Sequence, residues 1–184
     1  MKGKKLILGV TGGIAAYKIC DLASRLVKLG ADLHVVMTEK AREFVAPLTF
    51  QALTGNPVWL DEFSLNGELT IPHVQLGEEA DLLIIAPATA NTIGKLANGI
   101  ADNLVSSIAL VHNKNILIAP AMNSNMYSHP AVQANLQTLK SRGVKIVEPG
   151  RGRLACGITG SGRLAEVGTI IAEIEELLFV PKNL

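Results

Sequence analysis

Five short and nearly unbroken apolar runs punctuate the chain, at residues 6–10, 33–37, 82–86, 116–119 and 145–147. Runs of this length, rich in Leu, Ile and Val and bounded by polar residues, Gly or Pro, predict β-strands covered on both faces. Between the first two, Ile19, Leu22, Ala23 and Leu26 recur at helical spacing, and Gly30 follows as a stop signal. The same period predicts helices over 39–46, 48–54, 92–110, 130–142 and 167–178, with Gly143 placed as a C-terminal cap. Strand and helix alternating in this way predict an α/β fold, a single doubly wound, Rossmann or flavodoxin-like, mostly parallel sheet with helices on both faces. Residues 61–76 break the rhythm and read as an active-site or interface excursion. The last residues, 179–184 with Pro181, read as a tail or the start of a linker.

The 184 residues fit one domain of about 150, so 1–184 is expected to fold as a unit. Apolar residues make up 48% and charged residues 18%, which predicts that some apolar surface is buried between subunits. A net charge of +1 with scattered basic residues leaves no footprint for a nucleic acid. Cys20 and Cys156 lie far apart with no CxxC spacing, which argues against a metal site or a disulfide framework and fits a reducing cytoplasm. Residues 1–16 imitate a secretory leader, but Thr11-Gly12-Gly13 interrupts the apolar stretch. No apolar stretch reaches the ~20 residues of a membrane span, so a soluble protein without a membrane partner is expected.

In an open α/β sheet, ligands bind beyond the carboxyl ends of the strands. The unusual segments of this chain fall there in succession. Thr11-Gly12-Gly13-Ile14-Ala15-Ala16 brings backbone N–H groups to a helix start, which suits a phosphate, although a tight strand-to-helix turn would use the same glycines. It is neither GxGxxG nor a Walker loop. Thr38 offers a hydroxyl to the same phosphate or a cap to the next helix. Pro87-Ala88-Thr89-Ala90-Asn91 and Pro120-Ala121-Met122-Asn123 share a form, an apolar strand, a proline, small residues and an amide suited to a heterocycle or a carboxylate. Helix capping explains Asn91 equally well, and Asn123 less well, because Ser124-Asn125-Met126-Tyr127 continues no amphipathic pattern.

His73 follows Pro72 in what reads as a loop, available as acid, base or donor or simply solvated. His34 alternates within a strand, His112 and His129 read as surface or capping residues, and none of the three is given a role. Cys156 sits in a loop over 150–163 with five glycines and three arginines, a composition that suits folding over a ligand or a solvated loop. Cys20 falls on the apolar face of the first helix and reads as core.

Taken together, Gly12-Gly13-Ile14-Ala15-Ala16-Tyr17-Lys18, Pro72-His73-Val74-Gln75-Leu76, Pro87-Ala88-Thr89-Ala90-Asn91-Thr92, Pro120-Ala121-Met122-Asn123-Ser124-Asn125-Met126 and Ala155-Cys156-Gly157 resemble the homo-oligomeric flavin-containing cysteine decarboxylases. The resemblance spans essentially the whole chain. It implies FMN bound between the subunits of a trimer or a trimer-based dodecamer, with Thr11, Gly12, Gly13, Ile14, Thr38, Pro87, Ala88, Thr89, Asn91, Ser106 and Met122 at the cofactor. It implies further that His73 is the active-site histidine, that Asn123 holds the substrate carboxylate and that Cys156 is the reductive cysteine of a substrate clamp. Met126, Ala155 and Gly157 complete the implied substrate site. The expected reaction is decarboxylation of 4′-phosphopantothenoylcysteine to 4′-phosphopantetheine in coenzyme A biosynthesis, with a phosphopantothenate-cysteine ligase separate or fused after this domain. Tyr127 departs from the family, whose motif commonly has tryptophan there.

The chemistry has a physical requirement. Electrons left on the α-carbon of a cysteine by departing carbon dioxide need an acceptor, and oxidation of the thiol to a thioaldehyde provides one, after which the ene-thiol is reduced. Asn123 would orient the carboxylate, His73 assist thiol oxidation and Cys156 donate the final proton. A peptidyl-cysteine decarboxylase of the same family and a non-catalytic flavin-binding module are the alternatives; a flavin prenyltransferase fits less well, given His73 and Cys156.

Overall fold

The computed structural model describes residues 1–61, 72–153 and 159–179. Six parallel strands, β1 (Lys5–Val10), β2 (Asp32–Met37), β3 (Val58–Trp59), β4 (Leu82–Ala88), β5 (Asn115–Pro120) and β6 (Lys145–Ile146), form one sheet in the order β3-β2-β1-β4-β5-β6. Its helices are α1 (Ala16–Lys28), α2 (Pro47–Thr54), α3 (Pro72–Glu79), α4 (Ala90–Asn98), α5 (Leu104–Val111), α6 (Ser124–Ser128), α7 (Pro130–Ser141) and α8 (Val167–Phe179). A hairpin of β7 (Gly150–Arg153) and β8 (Thr159–Arg163) stands apart from the sheet.

Alternate residues of each central strand face opposite cores, as the period of two requires. Leu6, Leu8, Val35 and Ile84 pack with Ile19, Leu22 and Leu26 of α1, Phe50 of α2 and Ile170 and Ile174 of α8. Ile7, Val36, Leu83, Ile85 and Ile118 pack with Leu76, Ile93, Val105, Ile108, Leu136 and Leu139 on the other face. Each buried Leu or Ile contributes about 1.5–3 kcal/mol, which makes this two-sided core the main support of the strand ends where the loops begin.

Local chemistry sets the boundaries. Gly30, Gly55, Gly99 and Gly143 all have positive φ just beyond a helix, a conformation that is costly for other residues. Gly99 corrects the expected helix over 92–110: the chain stops at Asn98 and a new helix starts at Leu104. Asn103 accepts from the N–H of Ser106 (3.1 Å) while the Ser106 Oγ accepts from the N–H of Asn103 (3.3 Å), a reciprocal cap that restarts the helix. The expected helix over 39–46 is a 3-10 turn at Glu39–Glu43, and Pro87 does not end its strand, since β4 runs on to Ala88, whereas β5 ends at Pro120. The strand β3 and the short α6 were not expected at all. Residues 72–79 are helical, so His73 lies in the first turn of α3 rather than in a loop.

His112, expected as a surface or capping residue, is the C-cap of α5 and is buried. Its Nδ1 meets the carbonyl of Gly77 (2.8 Å) and its Nε2 that of Asn115 (3.0 Å), tying α5 to α3 and to the start of β5. His129 caps α7 through the N–H of Ala131 (3.2 Å), as expected.

Candidate functional site

The sheet order reverses at β1, which has β2 on one side and β4 on the other, and the crevice opens at their carboxyl ends. Thr11, fully buried just past β1, spans it. Its Oγ1 donates to the carbonyl of Pro87 (2.5 Å) and accepts from the N–H of Thr89 (3.2 Å). Thr89 in turn caps α4, accepting from the N–H of Thr92 (3.3 Å). The cap foreseen for Asn91 therefore belongs to Thr89, and Asn91 stands exposed in the first turn of α4.

A cleft of about 1000 Å³ lies over this crevice, lined by the segments that follow β1, β2, β4 and β5 and by the hairpin that follows β6. The first loop supplies Gly12 to Ala15, with Tyr17 and Lys18 from α1; the second supplies Thr38, Glu39 and Lys40. The third supplies Thr89 to Thr92, with Lys95 from α4, and the fourth Ala121, Met122, Asn123 and Met126. Gly162, Arg163 and Leu164 close it from the hairpin side.

Gly12 is required by contact. A Cβ there would lie 2.4 Å from the Cβ of Lys40 and 2.9 Å from its carbonyl carbon, so the first two loops meet too closely for any side chain. Beside them Thr38 makes no cap to the turn that follows, and its buried Oγ1 has no hydrogen-bond partner. A buried, unsatisfied hydroxyl costs about 1–3 kcal/mol, and one on a cleft wall is suited to an incoming acceptor such as a phosphate oxygen. The helices α1, α4 and α5 start against this cleft, and none has an acidic residue in its first turn.

Asn123 lines the cleft and also caps α6, its Oδ1 accepting from the N–H of Asn125 (2.8 Å), so the capping role that sequence pattern disfavoured is present. Gly162 locks the hairpin onto this corner: its carbonyl accepts from the N–H of Met122 (2.9 Å), its φ is +123°, and a Cβ would strike the Met122 carbonyl at 2.4 Å. Behind α6, Tyr127 donates its hydroxyl to Glu148 (2.6 Å), and burial together with that carboxylate pushes the phenol well above its usual range. The ring packs against the core that contains Ile118 and Leu136.

Of the residues expected at the cofactor, Gly12, Gly13, Ile14, Thr38, Thr89, Asn91 and Met122 line the cleft, whereas Thr11, Pro87 and Ala88 form the support beneath it. Ser106 is buried in the α5 cap with its hydroxyl donated to the Asn103 carbonyl (2.9 Å), away from the cleft lining. Asn123 and Met126 are brought to the cleft and His73 is not; its Nδ1 is buried without a partner at the start of α3. Cys156, Ala155 and Gly157 lie outside the described residues. The sequence reading passed over Lys40, Lys95, Asp102 and Asn103. Lys95 donates to both carboxylate oxygens of Asp102 (2.7 Å each) on the cleft wall, bonds that hold the Asp102 carboxyl below its usual range. The only signal for them was the polar Asp102-Asn103 pair before an apolar run, which is a helix-start signature.

No metal-binding group of His, Cys, Asp and Glu occurs among the described residues, and no described helix is long and apolar enough to cross a membrane.

Comparison with known proteins agrees with this geometry. The Flavoprotein family model matches residues 1–179. The chain is 48% identical over 176 residues to the coenzyme A biosynthesis bifunctional protein CoaBC of Bacillus subtilis, covering 96% of this chain and 43% of that one. It is 46% identical over 177 residues to a probable phosphopantothenoylcysteine decarboxylase of Streptococcus mutans, covering 95% of this chain and 99% of that one. The chain thus spans less than half of the bifunctional relative and nearly all of the shorter one. Among solved structures, the FMN-dependent cysteine decarboxylase SpaF superposes with a TM-score of 0.82 at 34% identity, over 93% of this chain and 94% of that one.

Proposed function

As the chain belongs to the Flavoprotein family, we propose that it is an FMN-dependent carboxy-lyase converting 4′-phosphopantothenoylcysteine to 4′-phosphopantetheine. One observation carries this reading: the partnerless Thr38 hydroxyl and the Gly12 contact form a cradle for a phosphate on the same cleft that presents Asn123. The residues fit the cofactor. Gly12 and Ile14 would hold its phosphate through backbone N–H groups and Thr38 through its hydroxyl, the Gly13 N–H being donated to the Thr11 carbonyl (2.9 Å), while Thr89, Asn91 and Met122 would meet the rest of the cofactor along the cleft. When bound, FMN supplies a two-electron acceptor and donor, which lets the thiol reach the thioaldehyde level and lets the product return from it.

The chain's own groups do the rest. Asn123 is fixed by its cap to α6, and its Nδ2 carries the donors that a substrate carboxylate takes, so the scissile bond is held in one orientation. His73 accepts or shares the thiol proton, and Cys156 delivers the proton that completes the saturated product. Because His73 does not line the cleft of its own subunit, a neighbouring copy brings it there, in a trimer or a trimer-based dodecamer. The protein works in the cytoplasm beside a phosphopantothenate-cysteine ligase, fused or separate.

The test is direct. The purified protein should keep a flavin spectrum after desalting and release carbon dioxide from phosphopantothenoylcysteine, read by mass spectrometry. A colourless protein that retains no added FMN would overturn the reading, and turnover of a cysteine-terminated peptide instead would reassign the substrate. His73→Asn should abolish decarboxylation with FMN still bound. Cys156→Ser should stop after carbon dioxide loss, accumulating the ene-thiol.

A further inference from the structure

We propose that Tyr127 is a positioning residue for Asn123, its hydroxyl bond to Glu148 fixing the turn on which Asn123 meets the substrate carboxylate. This rests on the reading of the cleft as a cysteine decarboxylase site. The helix α6 is a single turn of five residues with none of them buried. A turn that short does not hold itself together in water, because nucleating a helix fixes several residues for one hydrogen bond. Its place therefore depends on what it is tied to.

Those ties converge on Tyr127. Its N–H donates to the carbonyl of Asn123 (2.9 Å), the bond that closes the turn. Its carbonyl accepts from Nε2 of Gln133 on α7 (2.5 Å), its ring packs against the Ile118 and Leu136 core, and its hydroxyl donates to Oε2 of Glu148 (2.6 Å). Burial and the Glu148 carboxylate both keep the phenol protonated, so it stays a donor. Glu148 lies between the end of β6 and the start of β7, so the bond ties α6 to the chain entering the hairpin. The hairpin grips the other end of the turn. The carbonyl of Gly162 accepts from the N–H of Met122 (2.9 Å), and a Cβ on Gly160 would lie 2.8 Å from the Cβ of Ser124. Asn123 thus sits between two residues held by β8, with Tyr127 held from behind. Glu148 is exposed, and a bond in solvent stabilises the whole fold little, so its effect falls on the turn that it restrains.

Tyr127→Phe keeps the ring and both backbone ties and removes only the hydroxyl bond. Glu148→Ala removes it from the other side, and Glu148→Gln keeps an acceptor oxygen. Each variant is compared with the unaltered FMN-loaded full chain by kcat/KM for phosphopantothenoylcysteine and by the inhibition constant of phosphopantetheine, which lacks the carboxylate. The Asn123 side-chain amide is followed by NMR, its signals identified by their loss in Asn123→Asp. Tyr127→Phe and Glu148→Ala should each lower kcat/KM by about five- to tenfold and displace or broaden the Asn123 signals, with the inhibition constant held within roughly twofold. Glu148→Gln should stay within roughly twofold throughout, and the double variant Tyr127→Phe/Glu148→Ala should lose no more than either single one. Equal losses for substrate and phosphopantetheine would make the bond a general support of the cleft and overturn the proposal, as would additive losses or an unchanged kcat/KM. Absence of turnover in the unaltered protein would remove the proposed reaction instead. The Asn123 signals would still decide, and signals unmoved in Tyr127→Phe would overturn the positioning role.

Discussion

The Thr11 hydroxyl donates to the Pro87 carbonyl at 2.5 Å, joining the ends of two neighbouring strands where the sheet changes direction. The same oxygen accepts from Thr89, so two backbone groups at the mouth of the cleft depend on one side chain. Thr11→Val keeps the shape and removes both bonds. It should cost about 1–3 kcal/mol in denaturant unfolding, because a buried donor and acceptor are left unpaired. FMN retention should fall with it, and an unchanged unfolding midpoint would show the bridge to be dispensable.

Thr38 predicts the opposite sign for stability. Its hydroxyl is already unsatisfied, so Thr38→Val in the cofactor-free protein should be neutral or stabilising. FMN affinity should drop by about five- to a hundredfold, the equivalent of one charge-assisted hydrogen bond. Thermal melts of the apo protein and fluorescence titration with FMN separate the two effects.

Asn123 serves the fold and the chemistry together, and aspartate divides them. Asn123→Asp retains a side-chain oxygen for the α6 cap and places a like charge against the substrate carboxylate, so stability should hold while activity collapses. Asn123→Ala should lose activity and about 1 kcal/mol of stability as well. Equal stabilities for the two variants would mean that the cap contributes nothing.

At the opposite edge of the sheet, Asp81 accepts from the N–H of Lys5 (3.0 Å) and lies 3.7 Å from the Lys4 ammonium and 3.6 Å from that of Lys114. Partial burial raises its pKa, but the Lys5 bond and the two ammonium groups outweigh it and hold the carboxyl below its usual range. A depressed folded-state pKa contributes stability above the unfolded value of ~3.9, lost as pH falls through the folded value. The wild-type protein should therefore exceed Asp81→Asn by up to about 1 kcal/mol at neutral pH, a modest figure because the ion pairs are partly exposed. The gap should close below about pH 4 in urea titrations, and a gap independent of pH would refute the linkage.

The parallel sheet and the convergence of the segments after β1, β2, β4 and β5 were legible because strand periodicity and glycine punctuation are local signals, whereas 150–163, expected as a loop, pairs as the β7–β8 hairpin over its described residues. Thr89 rather than Asn91 as the α4 cap was not, since both stand at the start of the same helical pattern and only the turn of the backbone selects one. Asn123 illustrates the reverse case, where a short helix with no apolar stripe hid its own cap. The break at Gly99 was missed because an apolar pattern continues across it, and only the positive φ ends the helix. His73 could be named from the sequence but not placed, because its distance from the cleft depends on packing of α3 against α5 rather than on any nearby residue. His112 and its two carbonyl partners are wholly tertiary and left no trace in the sequence.

The three helix starts that face the cleft, none with an acidic residue in its first turn, have a practical consequence for handling the protein. Each brings about half a positive charge that ends within a turn, too short in range to register in a molecule whose net charge is +1. Retention on an ion-exchange column will therefore say little about the cleft. Added sodium chloride should loosen a bound anionic ligand only modestly, whereas inorganic phosphate at the same ionic strength, competing for the same N–H groups, should strip it. The identity of the buffer anion, more than its concentration, will decide whether the preparation is yellow.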